Sequence, residues 1–355
     1  MVQQPDRPTN QPAPSIDAKL RFLLSGAAYP DLEHPPSWVE THMSWVFFVG
    51  NRVLKLKKPV RYPFLDFSTL RSREFNCREE VRLNSRLAPD VYLGLLALQA
   101  TGGDFALVPE ERLSAPERTV DWLVLMRRLP QQRNLLGAIA EARVEARDID
   151  ALVAVLVAFY RQVPKVELTA QEYLDRFQRE AAVNREVLLR PQFDLSDATQ
   201  ALDRFDAALL EQAATLGERA SGGQVVDGHG DLRPEHVYLL EPPAVIDCLE
   251  FNAPLRQVDP FDEIGFLALE CELAGAPWIG PRLLSGCAAA LGEQPGRPLM
   301  QLYRAHRALL RARLAMAHLL DPVPRTPHIW PARAQRYIEC ALLALNDAGP
   351  TGQNA

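Results

Sequence analysis

The stretch Asp227-Gly-His-Gly-Asp-Leu-Arg-Pro-Glu-His236 is the densest polar cluster in the chain, and its reading decides the fold. Two glycines and a proline impose an irregular backbone beside titratable side chains. Apolar runs at Val225-Val226 and Val237–Leu240 flank the loop, which places it near the interior. One hairpin later, the apolar run Ala244–Ile246 ends on a second acid, Asp247. Two carboxylates supplied this way suit phosphoryl transfer, in which one orients and deprotonates a hydroxyl and the other holds Mg²⁺.

Working outward from that loop, the chain divides by character. Upstream, Ser44–Val49 and Arg52–Lys57 read as strands joined in a tight hairpin by Gly50-Asn51. Val91–Leu98, Phe105–Val108 and Val120–Met126 are further strands, and the charged segment Thr69–Leu87 has helical spacing. Ile16–Gly26 reads as a short amphipathic helix preceded by a polar, Pro-rich tail over 1–15. Beyond Leu129-Pro130, helical periodicity takes over: Asp148–Gln162, Ala170–Leu189, Ser196–Arg219, Phe261–Ala274, Pro298–Leu320 and Pro331–Asn346. The expected fold is α+β and bilobal, with a β-rich lobe over 16–126, a larger helical lobe over 127–346 and a tail over 347–355.

Composition narrows the class. A 355-residue chain with 47% hydrophobic and 24% charged residues has ample material for a core without disulfides. Its longest apolar run, Ala151–Tyr160, is far short of the ~20 residues that span a bilayer. The polar N-terminus lacks the apolar core of a secretory signal. Five scattered cysteines, never paired as CxxC, suit reduced thiols, and the expected location is cytoplasmic. A net charge of −6 offers no support for a nucleic-acid partner. The chain has 34 arginines and only five lysines, yet three of those lysines, Lys55, Lys57 and Lys58, fall within four positions. A compact ammonium on a flexible stem suits a phosphate contact; chance clustering at a solvated strand end is the alternative.

These motifs resemble a known family. His229-Gly230-Asp231-Leu232 followed by Ile246-Asp247 is similar to the catalytic and metal motifs of aminoglycoside phosphotransferases, choline kinases and their protein-kinase-like relatives. Val53-Leu54-Lys55 resembles the third-strand lysine segment, and Glu80 stands where the paired helix glutamate would. Trp122–Pro130, which contains Met126, resembles the strand and hinge under the adenine, and Val258–Asp262 the downstream acid that braces the catalytic loop. The runs ETHMSWVF, VLKLKKPV, FLDFSTL, EEVRLNSRLAPDVYLG, HGDLRPEH and IDCLEFN resemble an uncharacterised bacterial branch of that superfamily, over roughly residues 16–345. Some members of that branch carry a further P-loop kinase domain, but the chain contains no GxxxxGK[ST].

The resemblance implies a protein-kinase-like fold and transfer of the ATP γ-phosphate, with Mg²⁺, to a hydroxyl of a small molecule. Asp231 becomes the catalytic base, His229 a brace for its loop, and Arg233 a contact for the transferring group. Lys55 would meet the α/β-phosphates, with Lys57 as the alternate, and Glu80 would pair with it, with Glu79 as the rival. Asp247 would hold Mg²⁺ and Asp262 would act as a structural acceptor. Ser44, at the end of the turn Glu40–Ser44, stands in for the absent glycine-rich loop. The family's second metal ligand, an asparagine five residues after the base, is here His236. Imidazole is a poor ligand for Mg²⁺, so one metal suffices, Glu250 or Asn252 supplies the oxygen, the metal differs, or phosphoryl transfer is impaired and the protein is a nucleotide-binding pseudokinase. A Ser/Thr protein kinase is a further alternative. Glu263 with Glu270, and Arg304, Arg307 and Arg311, read by default as solvated helix faces. Acceptor identity and oligomeric state have no signature in the chain.

Overall fold

The computed structural model describes residues 14–347 apart from Asp31, Pro63, Phe64, Pro322, Val323 and Arg325. The expected tails lie outside the described residues except at Pro14, Ser15 and Asp347. Ser15 caps the first helix, its hydroxyl accepting from the Ala18 N–H, and Asp347 closes the last. Contacts divide the chain into two compact units: residues up to Arg133 with Ala244–Ala253, and Asn134–Pro243 with the rest.

The first unit is built on a six-stranded antiparallel sheet. Its strands are β1 (Ser37–Glu40), β2 (Ser44–Val49), β3 (Arg52–Lys57), β6 (Tyr92–Thr101), β7 (Asp104–Pro109) and β8 (Thr119–Arg127), in the order β1-β2-β3-β8-β6-β7. A short pair, β4 (Arg61–Tyr62) with β5 (Leu65–Asp66), stands apart. The β2–β3 hairpin closes at Val49↔Arg52 around Gly50, whose φ of +57° fits the turn. Alternation then sends Leu54 and Leu56 into an apolar core with Phe47, Leu98, Leu123 and Leu23 of α1 (Ile16–Leu24), while Lys55 and Lys57 take the other face. Helix α2 (Leu70–Asn84) starts at Thr69, whose hydroxyl accepts from the Ser72 N–H. Its buried stripe is mostly polar: Arg73, Asn76, Cys77, Glu80, Leu83 and Asn84. Arg73 meets this need with a bidentate pair to buried Asp121 of β8, at 2.7 and 3.0 Å, and Lys19 of α1 adds a third contact at 2.7 Å.

Ala244–Ala253, expected in the helical lobe, belongs to this unit and contains β11 (Ala244–Val245). Its backbone shows why. The Val245 N–H donates to the Leu87 carbonyl at 3.3 Å, the Asp247 N–H to the Tyr92 hydroxyl at 3.2 Å, and the Cys248 N–H to Asn84 Oδ1 at 2.8 Å.

The second unit is helical. It comprises α3 (Leu135–Ala140), α4 (Ala146–Gln162), α5 (Ala170–Leu188), α6 (Ala198–Glu211), α7 (Ala213–Ser221), α8 (Pro260–Leu273), α9 (Ile279–Leu291), α10 (Arg297–Ala317) and α11 (Trp330–Asp347), with the short strands β9 (Val226–Asp227), β10 (Val237–Tyr238) and β12 (Gln257–Val258). The expected helix Ser196–Arg219 is two helices, broken at Gln212. Helix α10 packs on α5, α6, α8 and α11 around a core that includes Tyr303, Leu302, Leu309, Phe205 and Ile338.

The default of solvated acids on α8 and solvated arginines on α10 is overturned. Glu263 is fully buried against the loop 227–236, and Glu270 and Arg307 are nearly so because the two helices pack together and their charges pair across the contact. Arg307 grips Asp262 through both ends of its fork at 2.8 and 2.7 Å, Arg311 reaches Glu270 at 3.1 Å, and Arg304 reaches Glu272 at 2.7 Å. Burial thus comes with a partner for each charge. All five cysteines are buried as thiols outside any disulfide. Among the described residues, no helix is long and apolar enough to cross a membrane.

One buried base makes stability depend on acid. His306 of α10 lies 4.8 Å from the Phe177 ring and 6.0 Å from Phe205, and burial holds its pKa down at about 4. The unfolded residue takes up its proton near about 6.5. Its contribution is therefore full above pH 6.5 and is lost as the pH falls towards 4, by up to about 3 kcal/mol. His306→Phe should flatten this part of the acid limb in urea unfolding; an unchanged pH slope in the variant contradicts the assignment.

Candidate functional site

The site residues fall in two groups, one in each unit. In the first unit, strand alternation on β3 points Lys55 and Lys57 the same way, and α2 presents Glu80 to both. Lys55 Nζ donates to Glu80 Oε1 at 2.8 Å and to Asp247 Oδ1 at 3.0 Å. Lys57 Nζ donates to Glu80 Oε2 at 2.6 Å and to Glu250 Oε1. Its ammonium also lies 4.9 Å from the Phe67 ring centroid. Glu79, the rival of Glu80, points outward and pairs with Arg82. Lys55 and Lys57 are therefore both engaged, with Glu80 shared between them.

Electrostatics follow from that crowding. Burial opposes charge on Lys55, but Asp247, Glu80 and Glu250 outweigh it and raise its pKa well above the usual lysine value. Burial likewise opposes ionisation of Glu80, and Lys55 and Lys57 reverse this, holding the carboxyl below its ordinary range. Glu250 goes the other way: burial pushes it up more than Lys57 pulls it down. Asp247 adopts a left-handed backbone, φ +64°, sparsely populated for a non-glycine residue. Its side chain stays 49% exposed, with Lys55 on one oxygen.

In the second unit, the loop 227–236 hangs on Glu263 of α8. The carboxylate accepts from the His229 N–H at 3.0 Å, from the Gly230 N–H and from the Tyr160 hydroxyl at 2.7 Å. Gly230 has φ +88°, open to glycine and strained for other residues. A Cβ on Gly228 would stand 2.6 Å from Val258 Cγ2 and 2.9 Å from Glu263 Oε2, so the backbone approaches closer than any other residue allows. Asn134, which caps α3 through its oxygen, donates its amide to the Glu235 carbonyl at 2.8 Å. Asp231 emerges from this scaffold with a quarter of its side chain exposed and Arg233 Nη2 at 2.8 Å from Oδ2. Burial opposes its ionisation, yet Arg233 and His236 outweigh it and hold the carboxyl below the usual range.

The brace under this loop is Glu263, whereas the resemblance pointed to the segment Val258–Asp262. Asp262 is an acceptor, but for Arg307, and Asp259 holds Arg219 and the Tyr303 hydroxyl at 3.0 Å. His229 is fully buried, and its Nδ1 lies 3.3 Å from the Asp231 N–H. Glu263 carried a readable signal, an acid immediately before the apolar run Ile264–Leu269, interrupted only by Gly265.

Ser44 and His236 depart from their expected parts. Ser44 is buried at 2% exposure, and its backbone closes the turn with Thr41, whose hydroxyl accepts from the Ser44 N–H at 2.9 Å. That turn is pinned by Thr41, and Ser44 is not presented outward. His236 Nδ1 lies 2.8 Å from the Asp231 carbonyl, which can only accept, so this nitrogen carries the proton. Nε2 then faces Arg233 Nη2 at 3.4 Å. A ring nitrogen turned to a guanidinium does not suit a cation, whereas the exposed Asp247 carboxylate does. Glu250 is nearly buried, with Oε1 on Lys57. Met126 sits half-buried on β8 opposite Val53.

No protein-family model matches the sequence. Uncharacterised proteins of Mycobacterium tuberculosis and Mycobacterium bovis are 30% identical over 285 residues, 78% of this chain and 53% of theirs, so the chain spans about half the length of the curated relatives it matches. Among solved structures, a choline/ethanolamine kinase family protein from Mesorhizobium loti superposes with a TM-score of 0.53 at 13% identity, covering 95% of this chain and 99% of that one. A choline kinase of Streptococcus pneumoniae gives 0.52 at 13% identity, over 94% and 100%. APH(2")-IIia, solved with GDP and kanamycin, gives 0.50 at 15% identity, over 93% and 98%. These likenesses are of fold.

The loop's dependence on Glu263 is open to a direct check. Glu263→Gln leaves a single acceptor oxygen for three donors and should lower the unfolding free energy by about 2 kcal/mol. Gly228→Ala should cost about 1–3 kcal/mol through overpacking. Urea denaturation measures both; wild-type stability in either variant would contradict this account of the loop.

Proposed function

From the protein-kinase-like α+β fold that the chain shares with choline/ethanolamine kinases and aminoglycoside phosphotransferases, we propose that this protein is an ATP-dependent phosphotransferase acting on a hydroxyl of a small molecule. The observation that carries the reading is Lys55 Nζ, hydrogen-bonded at once to Glu80 and Asp247. An ammonium fixed between a helix glutamate and a half-exposed aspartate is the arrangement that positions a nucleotide triphosphate.

Lys55 binds the α/β-phosphates, with Glu80 setting its position, and Met126 lies in the segment under the adenine. Asp247 is the residue that would hold Mg²⁺, which neutralises phosphate charge when bound. Asp231 accepts a hydrogen bond from the acceptor hydroxyl and takes its proton as the new O–P bond forms and the β–γ bridging P–O bond breaks, releasing ADP. Because Arg233 and His236 keep Asp231 ionised, it is a weak base, and its main work is orientation. Arg233, fixed to Asp231 and Glu235, stands ready to offset charge on the transferring group. His229 shapes the loop and Asp262 anchors α8 to α10.

A second reading, a nucleotide-binding pseudokinase, is favoured by the engagement of His236 with Arg233 and the Asp231 carbonyl in place of a free oxygen ligand. Saturable ATP binding without turnover under Mg²⁺ or Mn²⁺ would select it. On the principal reading, Asp231→Asn lowers turnover at least a hundredfold while ATP affinity stays within about twofold. Lys55→Met instead weakens ATP binding itself. A screen of hydroxylated metabolites with ADP release as readout supplies the substrate; undiminished turnover in Asp231→Asn removes that residue as base.

A further inference from the structure

We propose that Lys57 and Glu250 are positioning residues that lock the Asp247 segment to the Lys55–Glu80 pair, so that the metal-holding carboxylate and the phosphate-contacting ammonium are set as one piece. The proposal rests on the phosphotransferase reading and adds to it a second lysine and a second glutamate, to which that reading gives no part.

The geometry is a closed ring of alternating charge. Asp247 accepts from Lys55, Lys55 donates to Glu80, Glu80 accepts from Lys57, and Lys57 donates to Glu250. The backbone from Glu250 back to Asp247 closes it. Three elements meet there: β3 supplies both ammonium groups, α2 the shared carboxylate, and the segment after β11 the other two acids. Lys57 is 1% exposed and Glu250 7% exposed along their side chains.

Fold stability alone does not account for this second pair. Desolvating an ion pair offsets most of its attraction, and an apolar pair of similar volume is commonly as stable or more so. The ring also carries three carboxylates against two ammonium groups, so it does not close as neutral pairs. Position explains it better. Lys57 fixes the oxygen of Glu80 that Lys55 leaves free, which sets the rotation of that carboxylate and hence the place of Lys55 Nζ. Glu250 fixes the far end of a short segment whose first residue, Asp247, is held in a strained backbone. Cut at Glu250, the ring no longer ties Asp247 to β3 from both sides.

Glu250→Gln separates a positioning role from a structural one. It leaves two carboxylates for two ammonium groups, so the apo protein should fold with an unchanged or higher Tm. Binding of a fluorescent ATP analogue to the full chain, measured as free Mg²⁺ is titrated, should then need about ten- to a hundredfold more Mg²⁺ for half-saturation, the range typical of lost support around a metal ligand. Lys57→Met/Glu250→Gln, which removes both charges of the pair, should show the same shift. An unchanged Mg²⁺ requirement in Glu250→Gln overturns the proposal. So does a Tm loss in Glu250→Gln that the double variant repairs without moving the Mg²⁺ requirement, because the pair is then structural only. A wild type that binds the analogue but transfers no phosphate defeats the phosphotransferase reading and leaves the lock to be judged on binding. A wild type that binds no nucleotide defeats both.

Discussion

A carboxylate shut away from water needs cations or hydrogen-bond donors beside it to stay ionised, and Glu80 has two ammonium groups. Each oxygen of this side chain accepts from a different lysine of the same strand. That requirement reaches back into the fold. The lysines must alternate on β3 so that Leu54 and Leu56 can fill the core behind them. Helix α2 must then lie with a polar stripe inward, which it does by matching Arg73 to Asp121 and Asn84 to the Cys248 N–H. Asn84 and Glu80, one turn apart on α2, thus hold the segment that bears Asp247 through its backbone and, by way of the lysines, through its side chains. Sheet, helix and acidic segment are set by one buried charge.

The second unit solves a comparable problem with backbone. Its loop presents Asp231 without regular secondary structure, so its N–H groups need acceptors from elsewhere. Glu263 supplies them from a helix buried almost all round, and Tyr160 satisfies the remaining oxygen. The glycines at 228 and 230 follow from this, one through close approach and the other through its positive φ. Rigidity around Asp231 therefore comes largely from groups that do not touch its side chain. Arg233 adds a charged contact of its own, pairing with both Asp231 and Glu235.

What the sequence made legible was local. The glycine-punctuated loop, the hairpin around Gly50-Asn51 and the alternation that groups Lys55 with Lys57 are written within a few residues, and the structure realises them. Pairs that close over long separations leave no such trace. Asp121 meets Lys19 across 102 positions and Arg73 across 48, and Glu263 meets His229 across 34. The charged faces of α8 and α10 illustrate the cost of reading one helix at a time, because each looks solvated until the other's complementary row is set against it. The break at Gln212 and strand β1, hidden behind Pro35-Pro36, escaped periodicity for the opposite reason: a one-residue interruption and a four-residue strand are shorter than the pattern that detects them.

The chain's uneven use of its basic residues now has a physical reading. Where a single carboxylate must be gripped in a fixed plane, as at Asp262 by Arg307 or Asp121 by Arg73, the guanidinium fork delivers two parallel bonds and arginine is used. On β3 the need is different. Each cation serves two carboxylates that approach from different elements, and a compact ammonium on a flexible stem, with three rotatable donors, does so in little space. Lys55 and Lys57, two of the three lysines within four positions, fill that place. The third, Lys58, leaves the ring and pairs with Glu40 over the Trp45 face.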